Sequence, residues 1–148
     1  PAFPTGDLGH FDENGHLRLS GRRKNLLITS FGRNISPEWV ESVLAAQPEI
    51  AQNIVCGDGQ NTLAAIIVPF RSITSAAAPA ALSAAITRAN ALLPDYARIG
   101  HWIIAAPFTV QNGLATGNGR PVRSSILDQH AAELAALYQN EETTHVVL

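Results

Sequence analysis

The sequence has no methionine, one cysteine and one lysine in 148 residues. With no methionine and Pro1 at its head, the chain is expected to be a piece cut from something longer. A lone cysteine, Cys56, excludes an internal disulfide framework and fits a reducing compartment. The lone lysine, Lys24, means that chemistry requiring an ammonium group must use that residue or be missing. The other nine basic residues are all arginine, as a GC-rich genome would produce. Charge of either sign is sparse: ten basic residues stand against twelve acidic ones, net −2. That balance argues against a dedicated nucleic-acid surface, which shows as a strong basic excess. No apolar run approaches the ~18 residues of a membrane span. The first residues, Pro1 to Asp7, carry neither the basic nor the apolar segment of a secretion signal, so a cytoplasmic location is expected.

What is present is a globular composition, 46% hydrophobic and 15% charged. A domain of this length buries roughly 70% of its unfolded surface and needs no staple. Asn14-Gly15 is a strong hairpin signal, and it leads into the alternating run His16–Ser20. Leu26–Thr29 reads as a short buried strand, followed by a loop over 30–35. Ser36-Pro37-Glu38 opens a helix, with serine at the N-cap, proline at the first position and an acid at the positive end of the dipole. Trp39, Val40, Val43 and Leu44 share its apolar face, and Pro48 ends it. Strands are expected at 53–57 and 62–68, joined by Asp58–Asn61. The second is nearly all apolar and should be central. A connector rich in alanine and serine covers 70–79, a second helix 80–93, and a further strand 101–105. A Gly/Asn-rich loop spans 111–121. Ser124 or Ser125 caps a last helix, and the tail after Gln139 is expected to fray. The fold class is α+β: a small mixed or antiparallel sheet with an N-terminal hairpin, flanked by about three helices.

Four stretches then carry a resemblance. They are Thr5-Gly6-Asp7-Leu8-Gly9, Gly21-Arg22-Arg23-Lys24-Asn25, Gly32-Arg33-Asn34-Ile35-Ser36-Pro37-Glu38-Trp39-Val40-Glu41, and the run from Phe108 to Arg123. Their order and spacing resemble the C-terminal part of the adenylate-forming enzymes: acyl- and aryl-CoA synthetases, luciferases and peptide-synthetase adenylation domains. Phe108-Thr109-Val110-Gln111-Asn112-Gly113-Leu114 is most similar to the long-chain acyl-CoA branch. The resemblance implies that 1–23 is the last strand and hairpin of a large N-terminal domain, and that 24–148 is a mobile lid. It implies an AMP-forming ligase that uses ATP with Mg and then CoA, and that works against its own N-terminal adenylation domain. That domain would hold the phosphate loop, the acyl pocket and most of the Mg site. No G-x-x-x-x-G-K-[ST] pattern occurs here, so the chain alone is expected to be inactive.

Residue by residue, the resemblance implies that Asp7 and Arg22 bind the ribose of ATP or AMP. A carboxylate can accept from two vicinal hydroxyls, and a guanidinium offers a planar donor fork. Read without it, Asp7 is a turn residue and Arg22 belongs to a solvated basic run. Lys24 matches the hinge. Gly32 matches the loop brought to the pantetheine arm for thioester formation. Arg120 falls where the family carries its catalytic lysine, and it keeps the charge while changing the shape. Two other functions remain open: loading of a carrier-protein thiol instead of CoA, and a non-catalytic binding module, which Arg120 favours. Cys56 reads as core packing. The five histidines show no metal-ligand spacing, and no metal site is assigned.

Overall fold

The computed structural model describes the backbone at residues 7–11, 17–22 and 25–147, and side chains from 25 to 139. Two strands open the chain: β1 (Asp7–Phe11) and β2 (Leu17–Arg22), paired antiparallel. The hairpin expected around Asn14-Gly15 is present in its strands; its turn lies outside the described residues. A second, two-residue pair follows, β3 (Leu27–Ile28) with β4 (Asn34–Ile35). This corrects the expected buried strand over 26–29. Ile28 is 51% exposed and only Thr29 of that run is buried, because the pair is a small ribbon with no sheet beside it.

Helix α1 runs from Pro37 to Ala45, stopping before Pro48. Ser36 stands at the N-cap, yet its hydroxyl makes no cap bond; it donates to the Glu38 carboxylate at 3.1 Å. Val40 and Leu44 are fully buried, whereas Trp39 is turned outward. The apolar face is therefore narrower than the spacing suggested, since Trp39 lies about 100° around the helix from Val40.

The central sheet has the order β5-β6-β7, with β5 Ile50–Cys56, β6 Leu63–Pro69 and β7 Ile99–Ile104. β5 pairs antiparallel with β6, and β6 parallel with β7. Between the parallel strands lie helix α2 (Ala78–Ala91) and a 3₁₀ turn at Asp95–Ala97, the crossover that a parallel pair requires. The unbroken apolar run of β6 has a physical cause: both faces of the sheet are covered. Leu63, Ala65 and Ile67 face one core with Val40 and Leu44 of α1 and Leu82 and Ile86 of α2. Ala64, Ile66 and Val68 face a second core with Phe108, Leu114, Ile126 and Leu134. Cys56 lies in this second core, where burial pushes its thiol pKa up to about 11.

The end of the chain holds two helices in place of the one expected, α3 (Arg123–Gln129) and α4 (Ala131–Val147), which makes four among the described residues. Ser124 and Ser125 sit inside the first turn of α3 and cap nothing; the N-cap position belongs to Val122. The segment after Gln139 continues as helix to Val147. Tyr138 ties α4 to the sheet, its hydroxyl donating to the Thr62 carbonyl at 2.9 Å. No helix of the described residues is long and apolar enough to cross a membrane.

Candidate functional site

The resemblance gave five residues roles; four of them fall among the described residues, in three places. Asp7 and Arg22 are brought together: they are direct partners in the β1–β2 register, although 15 positions apart in sequence. Lys24 lies outside the described residues.

Gly32 occupies the turn between β3 and β4. Its N–H donates to the Thr29 carbonyl at 2.9 Å, and the Thr29 N–H donates to the Arg33 carbonyl at 3.0 Å. The turn demands φ +79° at Gly32, a left-handed conformation that suits glycine. A Cβ there would meet nothing within 4 Å, so this side of the turn is open to solvent. Phe31 beside it is 77% exposed, and the Arg33 guanidinium lies 4.6 Å from the centre of the Tyr96 ring, a cation–π distance.

This small ribbon does not stand alone. The β5–β6 turn, read from sequence as a plain connector, is bonded to it. Asp58 Oδ1 accepts from the Ile28 N–H at 2.9 Å, Gly59 N–H donates to the Ile28 carbonyl at 2.8 Å, and Ser30 N–H donates to the Gln60 carbonyl at 3.0 Å. Ser30 and Asn61 add a side-chain bond. Asp58 next to Gly59 is a turn signal in sequence; its second task needed a partner 30 residues away.

Arg120 is exposed, on the return limb of a tight loop. Ala115 and Pro121 form an antiparallel bridge. Thr116 N–H donates to the Arg120 carbonyl at 2.8 Å, and Val122 N–H donates to the Leu114 carbonyl at 2.9 Å. The outgoing limb is pinned by Gln52, whose side-chain amide brackets Phe108. Gln52 Oε1 accepts from the Phe108 N–H at 2.8 Å and Nε2 donates to its carbonyl at 3.1 Å. Asn112 shapes the corner, its Oδ1 accepting from the N–H groups of Thr109 and Leu114, each at 3.0 Å. A small exposed tip, Gly117-Asn118-Gly119-Arg120, thus projects from a stem whose Phe108, Leu114 and Ala115 are buried.

Beyond the loop lies an ion pair that sequence reasoning did not find. Arg123 Nη2 donates to Glu41 Oε1 at 2.8 Å, and Nη1 donates to the Val55 carbonyl at 3.1 Å. Glu41 Oε2 accepts from the Val55 N–H at 2.7 Å. Burial pushes the Glu41 carboxyl above its ordinary value, and the bonds from Arg123 and Val55 pull against that rise. No sequence signal joins residues 41 and 123; only the folding of α1 and α3 against β5 does.

The described residues contain no group of three or more His, Cys, Asp or Glu able to hold a metal ion. The exposed Arg120 guanidinium presents a permanent positive charge, and the Gly32 turn presents an open backbone.

Comparison with known proteins gives this geometry its setting. The chain is 29% identical to long-chain-fatty-acid–CoA ligase FadD15 of Mycobacterium tuberculosis, over 94% of this chain and 27% of that protein. It is 27% identical to fatty acyl-CoA synthetase A of Dictyostelium discoideum, over 97% of this chain and 25% of that one. The chain therefore spans about a quarter of the length of these relatives. Among solved structures, it superposes on the A-PCP didomain of carboxylic acid reductase from Segniliparus rugosus in complex with AMP. The TM-score is 0.85 at 25% identity, over 96% of this chain and 21% of that one. The family model for the AMP-binding enzyme C-terminal domain matches residues 24–142, and the chain belongs to that family.

Proposed function

We propose that this chain is the mobile C-terminal part of an ATP-dependent, AMP-forming acyl-CoA synthetase of the long-chain type. The observation that carries the reading is the Arg120 loop, an exposed cation on a glycine-rich tip with a pinned stem, in a chain whose relatives include fatty acyl-CoA ligases. In the first step a carboxylate oxygen attacks the α-phosphorus of ATP. A P–O bond forms, the bond to pyrophosphate breaks, and an acyl-adenylate results. In the second, a thiolate attacks the acyl carbon, a C–S bond forms and AMP leaves; the thiol proton passes to solvent.

Arg120 contributes positive charge where negative charge builds on the phosphate during the first step. Asp7 and Arg22 hold the nucleotide ribose, a reading supported by their direct pairing across β1–β2. Gly32 offers an open backbone to the pantetheine arm in the second step, and Lys24 is the hinge between the two orientations. Residues 1–23 belong to the large domain and 24–148 to the lid, in keeping with a family match that begins at residue 24. The acyl pocket, the phosphate loop and the Mg site belong to the N-terminal adenylation domain, with which this chain works in the cytoplasm. Alone, it has no ligase activity.

A second reading, transfer to a carrier-protein thiol, draws on the likeness to the adenylation–carrier didomain of carboxylic acid reductase. Supplying the full-length enzyme with CoA or with a pantetheinylated carrier separates the two acceptors. A non-catalytic module is the third, since Arg120 replaces the compact ammonium with a broad fork.

The deciding experiment is pyrophosphate exchange by the full-length protein. Arg120→Ala is expected to slow it about 10²–10³-fold, the cost of one transition-state donor. Thioester formation from pre-made acyl-adenylate should change little. Arg120→Lys reports whether the site has been rebuilt around the guanidinium: if so, lysine is worse. Exchange untouched by Arg120→Ala removes Arg120 from the chemistry and favours the non-catalytic module.

A further inference from the structure

Arg123, Glu41 and Val55 close a ring of three bonds between α3, α1 and β5. The Arg123 and Glu41 side chains keep only 20% and 15% of their surface exposed. A pair this dry is a weak source of stability, because desolvation of both charges offsets their attraction; apolar residues of similar size would serve the core as well. Its distinction is its place. Arg123 follows Arg120 by three residues and is the first residue of α3. The outgoing limb of the Arg120 loop has its own anchors in Gln52, Leu114 and Ala115. The return limb, Arg120 to Val122, is exposed or half-buried and is bonded to the outgoing limb; the next tie along the chain to the sheet and to α1 is the Arg123 guanidinium. A fork with two acceptors in one plane fixes direction as well as distance.

We propose that Arg123, gripped by Glu41 and the Val55 carbonyl, is a positioning residue that aims the Arg120 loop for the adenylation step. The inference rests on the role given to Arg120 above. It follows that the pair matters to the first half-reaction and not to the second.

The test uses the full-length protein with Arg123→Gln, and with Glu41→Gln as a milder change that keeps an oxygen for the guanidinium should Arg123→Gln fail to fold. Pyrophosphate exchange is expected to fall at least tenfold, while thioester formation from pre-made acyl-adenylate stays within about twofold. Equal losses in both half-reactions overturn the proposal, because the pair then only supports the fold. The sharper readout is a double-mutant cycle. With Arg120→Ala already in place, Arg123→Gln should cost nothing more, since it acts through Arg120; losses that multiply overturn the proposal. A wild-type protein without any exchange activity refutes the ligase reading instead. The inference is then decided on the 148-residue chain by amide hydrogen exchange. Arg123→Gln should speed exchange at Thr116 and Val122 at least tenfold while Ile66 and Ile67 stay protected. Unchanged rates in the loop, or equal loss of protection in β6, overturn it.

Discussion

Replacing Gly32 by alanine isolates one physical term. The backbone there has φ +79°, and a Cβ would meet nothing within 4 Å. The substitution therefore adds no clash, and its whole cost is left-handed backbone strain, about 1–2 kcal/mol. For a domain of this length that lowers Tm by about 2–8 °C, and urea denaturation should give the same loss in free energy with an unchanged slope. Asparagine tolerates the left-handed region better than alanine, so Gly32→Asn should cost clearly less. Gly117 provides the control. It too has open space around its Cβ position, but its φ is not positive. Gly117→Ala should be neutral or stabilise by up to about 1 kcal/mol, by restricting the unfolded chain. If Gly32→Ala costs nothing, or Asn costs as much as Ala, the strain argument is wrong. If Gly117→Ala costs as much as Gly32→Ala, the loops are sensitive to bulk rather than to φ. In the full-length enzyme Gly32→Ala should slow thioester formation more than adenylation; the reverse order removes Gly32 from the thiol side.

Lys24→Pro should lock φ near −65° and trap one lid orientation; the two half-reactions, assayed separately, should be lost unequally, and equal retention removes the hinge. The raised Glu41 pKa contributes stability that is fully present below the ordinary, unfolded-chain value of 4.5 and lost as pH rises through the folded-state value. Wild type should therefore gain on Glu41→Gln as pH falls from neutral to below 4.5; a difference moving the other way would mean that the bonds from Arg123 and Val55 outweigh burial. Cys56, with its thiol near 11, should hold about one thousandth of its population as thiolate at pH 8. A disulfide reagent should label it only as fast as the chain unfolds, and rapid labelling of folded protein would contradict its burial.

Local signals in the sequence were enough for most element types, though not for the strand Asn34–Ile35 inside the expected loop over 30–35 or for the break between α3 and α4. Asn14-Gly15 announced the opening hairpin, Pro37-Glu38 the start of α1, and the run from Leu63 to Val68 the central strand. These features act over a few residues, so periodicity and turn chemistry contain them. Motif order along the chain sufficed to recognise the family, including Gly32 and Arg120 as loop residues. Tertiary structure decided what each element touches. Trp39 lost its place on the buried face of α1 because the core is met along the Val40–Leu44 side of the helix, about 100° around from it. Ser124 and Ser125 lost their capping role because α3 starts at Arg123, where the guanidinium is held by Glu41 and Val55. The Asp58–Asn61 turn became the support of the Gly32 ribbon through bonds across about 30 positions. Such contacts have no signature in local pattern, since the partners of a polar side chain are chosen by the packing of whole elements. A motif can carry Arg120 and Arg123 three positions apart; only the folded chain leaves the first exposed and holds the second, half-buried, against a carboxylate 82 residues away.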